Sequence, residues 1–280
     1  MIEEKVKKNI SFFFSQRLIK NSFYTGLALG FVGIIPFTFN FLVARSFGRE
    51  ILGSINITLS FCLIITIFIT NFFGSAGNKY LAEYRGSRKL EHFQFVLKVM
   101  LGTPLIILSI ISIILSWNWT YFSNKFSLQE DLLIPIIIYI FLRSFYILFR
   151  RTLYGIDLVK SYTANEIISD LIMLSAIGYV TYNKQSSFLI DCYLLSYFIF
   201  CLLSTGTLLK RFKSIKNNLN MSSHFDKRMV IKKFTHYGLV SMLGTVASTG
   251  TGYLSIIVIG MYLSNSDAGI YSSVLSIVSV

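Results

Sequence analysis

The chain has 280 residues, 54% of them hydrophobic and only 14% charged, against roughly 25% charged in an ordinary soluble domain. Its mean hydropathy is +0.63, which excludes a water-soluble enzyme or binding module. A net charge of +13 suggests nucleic acid as a partner, but the cations are spread between apolar segments rather than gathered in one patch. No nucleic-acid partner is therefore expected; the phosphates expected to matter are those of membrane lipids.

A helix needs about 20 apolar residues to cross about 30 Å of hydrocarbon. In chain order such segments are Phe23–Val43, Gly53–Phe73, Phe95–Ser116, Leu132–Phe149, Ala164–Tyr182, Phe188–Leu209 and Tyr237–Leu263, with an eighth starting near Gly269 and stopping at Val280. The first follows a basic start (Lys5, Lys7, Lys8, Arg17, Lys20) and is too long for a signal-peptide core, so it is expected to stay as a signal-anchor. The fold expected is an all-α, polytopic transmembrane bundle. It divides into a six-helix lobe over 1–209, a basic cytoplasmic loop over 210–236 and the incomplete start of a second lobe over 237–280.

Lysine and arginine orient the bundle. Twenty of the 26 fall before the first span and in every second gap after it, with eight in 210–236 alone; the alternate gaps hold four. By the positive-inside rule the N-terminus is expected on the cytoplasmic side of the membrane. Trp117, Trp119, Tyr121 and Tyr182 mark headgroup layers. The outer gaps are short, which argues against an enzyme that works on an extracytoplasmic loop. Cys62, Cys192 and Cys201 lie within spans, and His92, His224 and His236 are scattered. Neither a metal site nor a cofactor is expected.

Inside the spans a few residues stand out. Gly26 and Gly30 form a GxxxG step, followed by Gly33 and Pro36; they mark close helix packing or a kinked gating helix. Ser241, Gly244, Thr245, Ser248 and Gly252 form a small-residue stripe that faces either another helix or a cavity. Charges weigh most, since each costs at least roughly 2.5 kcal/mol near mid-bilayer and so pairs or meets water. Arg143 and Asp170 fall about 10 Å inside the basic edge on consecutive antiparallel spans. They form a register-fixing ion pair, or Arg143 snorkels, or Arg143 belongs to a cationic site for a diphosphate headgroup, with Asp170 in a coupling role. Lys98 and Arg45 are the other candidate cations for an anionic substrate.

The segment Leu42-Val43-Ala44-Arg45-Ser46-Phe47-Gly48-Arg49-Glu50-Ile51-Leu52-Gly53 and the later Ser264-Asn265-Ser266-Asp267-Ala268-Gly269-Ile270-Tyr271-Ser272 resemble two helix junctions of bacterial polysaccharide flippases. These are the Wzx-type branch of the multidrug/oligosaccharidyl-lipid/polysaccharide exporter superfamily. Asn78-Lys79-Tyr80-Leu81-Ala82-Glu83-Tyr84 also fits that pattern. The junctions resemble each other at an offset of 216 residues, pairing Gly53 with Gly269, Leu59 with Leu275 and Ser60 with Ser276, as a six-helix repeat would. The resemblance implies about twelve helices in two lobes, so the sequence is expected to be a truncated form. It also implies flipping of a polyprenyl-diphosphate-linked oligosaccharide (an O-antigen, capsule or exopolysaccharide unit), with polymerase or export proteins as candidate partners. The alternatives are a drug/cation antiporter of the same superfamily and a membrane-embedded enzyme of the pathway such as a polymerase.

Overall fold

The computed structural model describes residues 2–217 and 225–278, with side chains over 19–212 and 225–276. Lys5, Lys7, Lys8, Arg17, Lys213, Lys216 and His224 fall outside those side chains. Among the described residues the protein is helical, without strands: α1 (Ile2–Phe47), α2 (Arg49–Gly86), α3 (Leu90–Trp117), α4 (Trp119–Phe126), α5 (Leu133–Gly155), α6 (Val159–Tyr182), α7 (Leu189–Asn217), α8 (Lys227–Thr245), α9 (Thr251–Tyr262) and α10 (Asn265–Val278). α8 and α9 are joined through a π-helical turn, Val246–Gly250, into one continuous rod over Lys227–Tyr262.

Six helices among the described residues are long and apolar enough to cross a membrane, and the protein is a multi-pass membrane bundle. α6 is not among the six, because Asn165, Glu166 and Asp170 interrupt its apolar run; it packs against α1 and α7 all the same. The turns between rods are tight. Gly48 adopts a left-handed φ of 86° between α1 and α2, and Asp157 one of 62° between α5 and α6. Without a Cβ, Gly48 takes up that conformation at little cost. Asp226 caps α8 by accepting from the backbone amides of Arg228 and Met229 at 2.9 and 3.2 Å.

Several boundaries expected from sequence move. α5 continues past Phe149 to Gly155, so Arg150 and Arg151 belong to a helix and not to a gap. The basic segment 210–236 is largely helical: α7 runs on to Asn217 and α8 starts at Lys227. α4 was not expected; Trp119 ties it to the following turn by donating its indole N–H to the Glu130 carbonyl at 2.8 Å. Trp117 and Tyr182 are 85% and 87% exposed, as headgroup-level rings should be.

α2 is the central helix. It packs on α5, α10, α8 and α3, and its apolar and small polar residues are buried along most of its length. At the end opposite the basic loops it crosses α10 so closely that a methyl group built on Gly53 would overlap the Asn265 carbonyl, and one on Gly269 would overlap the Arg49 carbonyl. Asn56 bridges the same crossing, donating to Ser272 Oγ at 2.9 Å and to Asn40 Oδ1 on α1 at 3.0 Å. Gly53 and Gly269, Asn56 and Ser272, and Arg49 and Asn265 are all pairs 216 residues apart. Each contact therefore occurs with its reciprocal, as at an interface built about a twofold axis.

Candidate functional site

Beneath that crossing lies a cavity of about 230 Å³, walled by α1, α2, α5, α6, α7, α9 and α10. A second, of about 120 Å³, continues from it between α2, α5 and the π turn, and shares Leu63, Arg143 and Tyr253 with the first. Together they reach the lower end of the range for small-molecule sites, roughly 300–1,000 Å³.

Arg143 stands where the two join. On α5, Tyr139, Arg143 and Tyr146 recur at helical spacing on one face. Tyr193 and Tyr197 do the same on α7, and all five line the larger cavity. The Arg143 guanidinium lies 5.1 Å from both the Tyr146 and Tyr197 ring centroids and donates to Tyr197 Oη at 3.0 Å. The rings offer their faces to the cation and cover its flanks, leaving the remaining donors of its fork toward the cavity.

Two and a little more turns along α5 come Arg150 and Arg151. Arg151 lines the second cavity and donates to Asn71 Oδ1 at 2.8 Å and to Ser75 Oγ. Arg150 donates to Tyr162 Oη at 2.9 Å. α5 thus carries guanidinium groups from mid-bundle to the basic end over about 10–12 Å of axis, with Arg151 turned to α2 along the second cavity and Arg150 turned to α6.

Opposite stand two carboxylates. Asp170 (6% exposed) lines the larger cavity, and Glu166 (0%) lies one turn before it on α6. Tyr146 Oη donates to Glu166 Oε1. Glu166 Oε2 and Asp170 Oδ2 are buried without a hydrogen-bond partner among the described residues. Such orphaned carboxylate oxygens are costly in an apolar interior unless a proton or cation serves them.

The residues singled out from sequence divide accordingly. Arg143 and Asp170 share the cavity, but of the alternatives open for them the direct ion pair does not form: Arg143 donates to Tyr197 on α7 instead. Lys98 and Arg45, expected as further cavity cations, line neither cavity and are exposed on α3 and at the end of α1. Pro36 lines the larger cavity beside Val32, and α1 runs through it as one helix; lacking an N–H, Pro36 leaves the Val32 carbonyl without its usual helical donor. Gly26 and Gly30 have open space where a Cβ would stand, so their GxxxG step is not a site of close packing among the described residues. Gly33 is half-buried. Of the small-residue stripe, Thr245 faces the second cavity, with Thr249 and Tyr253 one and two turns on, while Gly252 packs against Leu275. Among the described residues no cluster of His, Cys, Asp and Glu could hold a metal ion, and the three cysteines are free thiols.

Sequence reading missed Glu166, Arg151 and the tyrosines. Glu166 stands four residues before Asp170, and Tyr139 and Tyr146 flank Arg143 at four and three residues; that spacing was the available signal.

Two solved transporter structures share the fold. One, described as the inward-facing conformation of a multidrug resistance MATE family transporter of the MOP superfamily, matches with a TM-score of 0.69 at 14% identity, over 88% of this chain and 58% of its own. The other, described as MATE in the bent conformation, matches with a TM-score of 0.63 at 13% identity, over 94% of this chain and 65% of its own. The chain thus spans about three-fifths of the length of these transporters. No curated protein matches it significantly. A family profile described as "Polysaccharide biosynthesis protein" matches residues 18–280, and the chain belongs to that polysaccharide biosynthesis family.

Proposed function

We propose that this chain acts in a flippase that carries a polyprenyl-diphosphate-linked oligosaccharide from the inner to the outer leaflet of a bacterial cytoplasmic membrane by alternating access. The observation that carries this reading is Arg143, held between two tyrosine faces on a cavity wall deep in the bundle. A diphosphate leaving water needs its charge met by preplaced donors, and a guanidinium supplies them in a fixed fork. Arg151 and Arg143, which share the second cavity, would give that headgroup a stepwise entry from the basic end, which the positive-inside rule puts in the cytoplasm. The polyprenyl tail stays in lipid. The α2–α10 crossing closes the other end, and its separation would release the headgroup outward. Expelling an anion from a negative-inside cell is downhill by roughly 2.3 kcal/mol per charge per 100 mV.

Glu166 and Asp170 favour a second reading, a drug/cation antiporter of the same superfamily, because their orphaned oxygens suit a proton or cation. In a flippase the same carboxylates would couple transport to an ion gradient. A polymerase-type enzyme is disfavoured by the short connections at the end opposite the basic loops. The deciding experiment is Arg143→Ala in the full-length protein, with membrane insertion verified. Loss of surface polysaccharide without loss of drug resistance supports the flippase. Unchanged polysaccharide with lost drug resistance supports the antiporter.

A further inference from the structure

A groove on the other side of α2 takes no part in that cavity. It lies between α2, α3 and α8, holds about 300 Å³, and is lined by apolar side chains such as Phe95, Val99, Ile231 and Phe234, with Thr103 and Thr235 the hydroxyl-bearing residues of its wall. Ile231 and Met229 are exposed beside it, so it opens to the outside of the described bundle. Two threonine hydroxyls on an otherwise apolar wall give water few partners, so the natural filling of such a groove is an alkyl chain.

The basic end of the groove carries the information about the chain's headgroup. Lys227 Nζ stands 5.5 Å from the Phe95 ring centroid. Lys98, three residues after Phe95, is on the exposed flank of α3. One turn before Phe95, His92 is held between the rings of Tyr84 and Phe225, feels the charges of Lys89 and Lys233 as well as Glu91, and has a buried Nδ1 without a partner among the described residues. Asp226, the acid next to Lys227, is turned back onto the α8 amides. The groove is therefore flanked by cations at its basic end, by Lys227 at Phe95 and by Lys98 one turn further along the exposed side of α3, while its apolar lining runs about 12 Å along α3 from Phe95 to Thr103.

We propose that this groove holds one acyl chain of an anionic phospholipid of the leaflet at the basic end, with the lipid phosphate on Lys98 and Lys227. Lysine serves as a mobile point charge for phosphate, and two lysines at a membrane surface are enough to select anionic over zwitterionic lipid. This proposal is independent of what the central cavity carries.

The test uses the full-length protein in vesicles of equimolar phosphatidylglycerol and phosphatidylcholine, followed by repurification and lipid analysis. The expected result is phosphatidylglycerol enrichment of about fivefold or more, lost in Lys98→Gln/Lys227→Gln and unchanged in the control Lys160→Gln/Lys210→Gln at the same end of the bundle. Val99→Trp, which fills the groove and keeps both lysines, should lower the retained phospholipid. Should the double variant fail to fold, Val99→Trp decides. Enrichment that survives both variants, or that falls equally in the control, would mean diffuse attraction to the basic end and would overturn the site.

Discussion

At Gly53, near the start of α2, the space of the missing side chain is filled by backbone from α10; at Gly74 and Gly77, about six turns further on, it is filled by the side chains of Arg151 and Met100. One helix is therefore gripped differently at these two places. At Gly53 two main chains lie against each other and the polar link is a neutral amide, Asn56. At the basic end long cations span the gaps. Arg85 donates to the Ile156 carbonyl and pairs with Asp157 at 3.3 Å, which in turn accepts from Asn21 at 3.3 Å. Lys79 Nζ sits 4.0 Å from the Tyr237 ring centroid. A backbone crossing either fits or does not. Main chain also comes close in the basic half, where Cβ atoms built on Gly155 and Gly238 would stand 2.9 and 2.8 Å from the Asn78 and Phe72 carbonyl oxygens. But contacts made by flexible side chains yield by rotation, so the Gly74 and Gly77 contacts have slack that the Gly53 crossing lacks.

The sharpest way to break this contrast is Gly53→Leu. The new side chain has no free volume short of moving α10, so the crossing should open and transport by the full-length protein should fall at least about tenfold, the effect of roughly 1.4 kcal/mol. A spin-label distance across α2 and α10 that stays unchanged would contradict the close approach. Next comes Arg143→Ala, which removes a hydrogen bond to a charged group worth about 1.5–3 kcal/mol. If that bond and the headgroup contact are of similar size, transport drops about ten- to a hundredfold, and Arg143→Lys restores only part, since the fork is lost. Asp170→Asn keeps the shape and removes the charge. Thermal stability should hold or rise, while dependence of transport on the imposed ion gradient should vanish; a gradient dependence equal to wild type would assign coupling elsewhere. Asn56→Ala gives up two interhelical bonds averaging about 0.6 kcal/mol each in membranes, and should loosen the crossing without abolishing activity. The smallest effect is expected from Gly74→Ala. Its Cβ would stand 2.7 Å from Arg151 Cδ, but that arm can swing aside, and stability should change by about 0.5 kcal/mol or less.

Much of this was legible in the sequence, for reasons particular to each element. Arg143 and Asp170 show because a charge inside an apolar run has so few explanations. The Gly53–Gly269 correspondence shows because a close crossing tolerates little besides glycine. What stayed hidden depends on rotation about a helix axis, which depth alone does not give. Lys98 has the right depth and sign but leaves the face on which Phe93, Val96 and Met100 are buried. Gly26 and Gly30 have the right spacing but face open space. Arg150 and Arg151 were assigned to a gap because a cation pair ordinarily ends an apolar run, whereas α5 goes on to Gly155 with Arg150 and Arg151 bonded to tyrosine, asparagine and serine.

The most direct test of the cationic path is accessibility of one position on it. Thr249 lines the second cavity with Arg143 and Arg151. Thr249→Cys in a full-length protein otherwise free of cysteine should react with a membrane-impermeant thiol reagent applied from the basic side, and added polyprenyl diphosphate should protect it. Labelling that occurs only from the opposite side, or that diphosphate leaves untouched, would contradict the account.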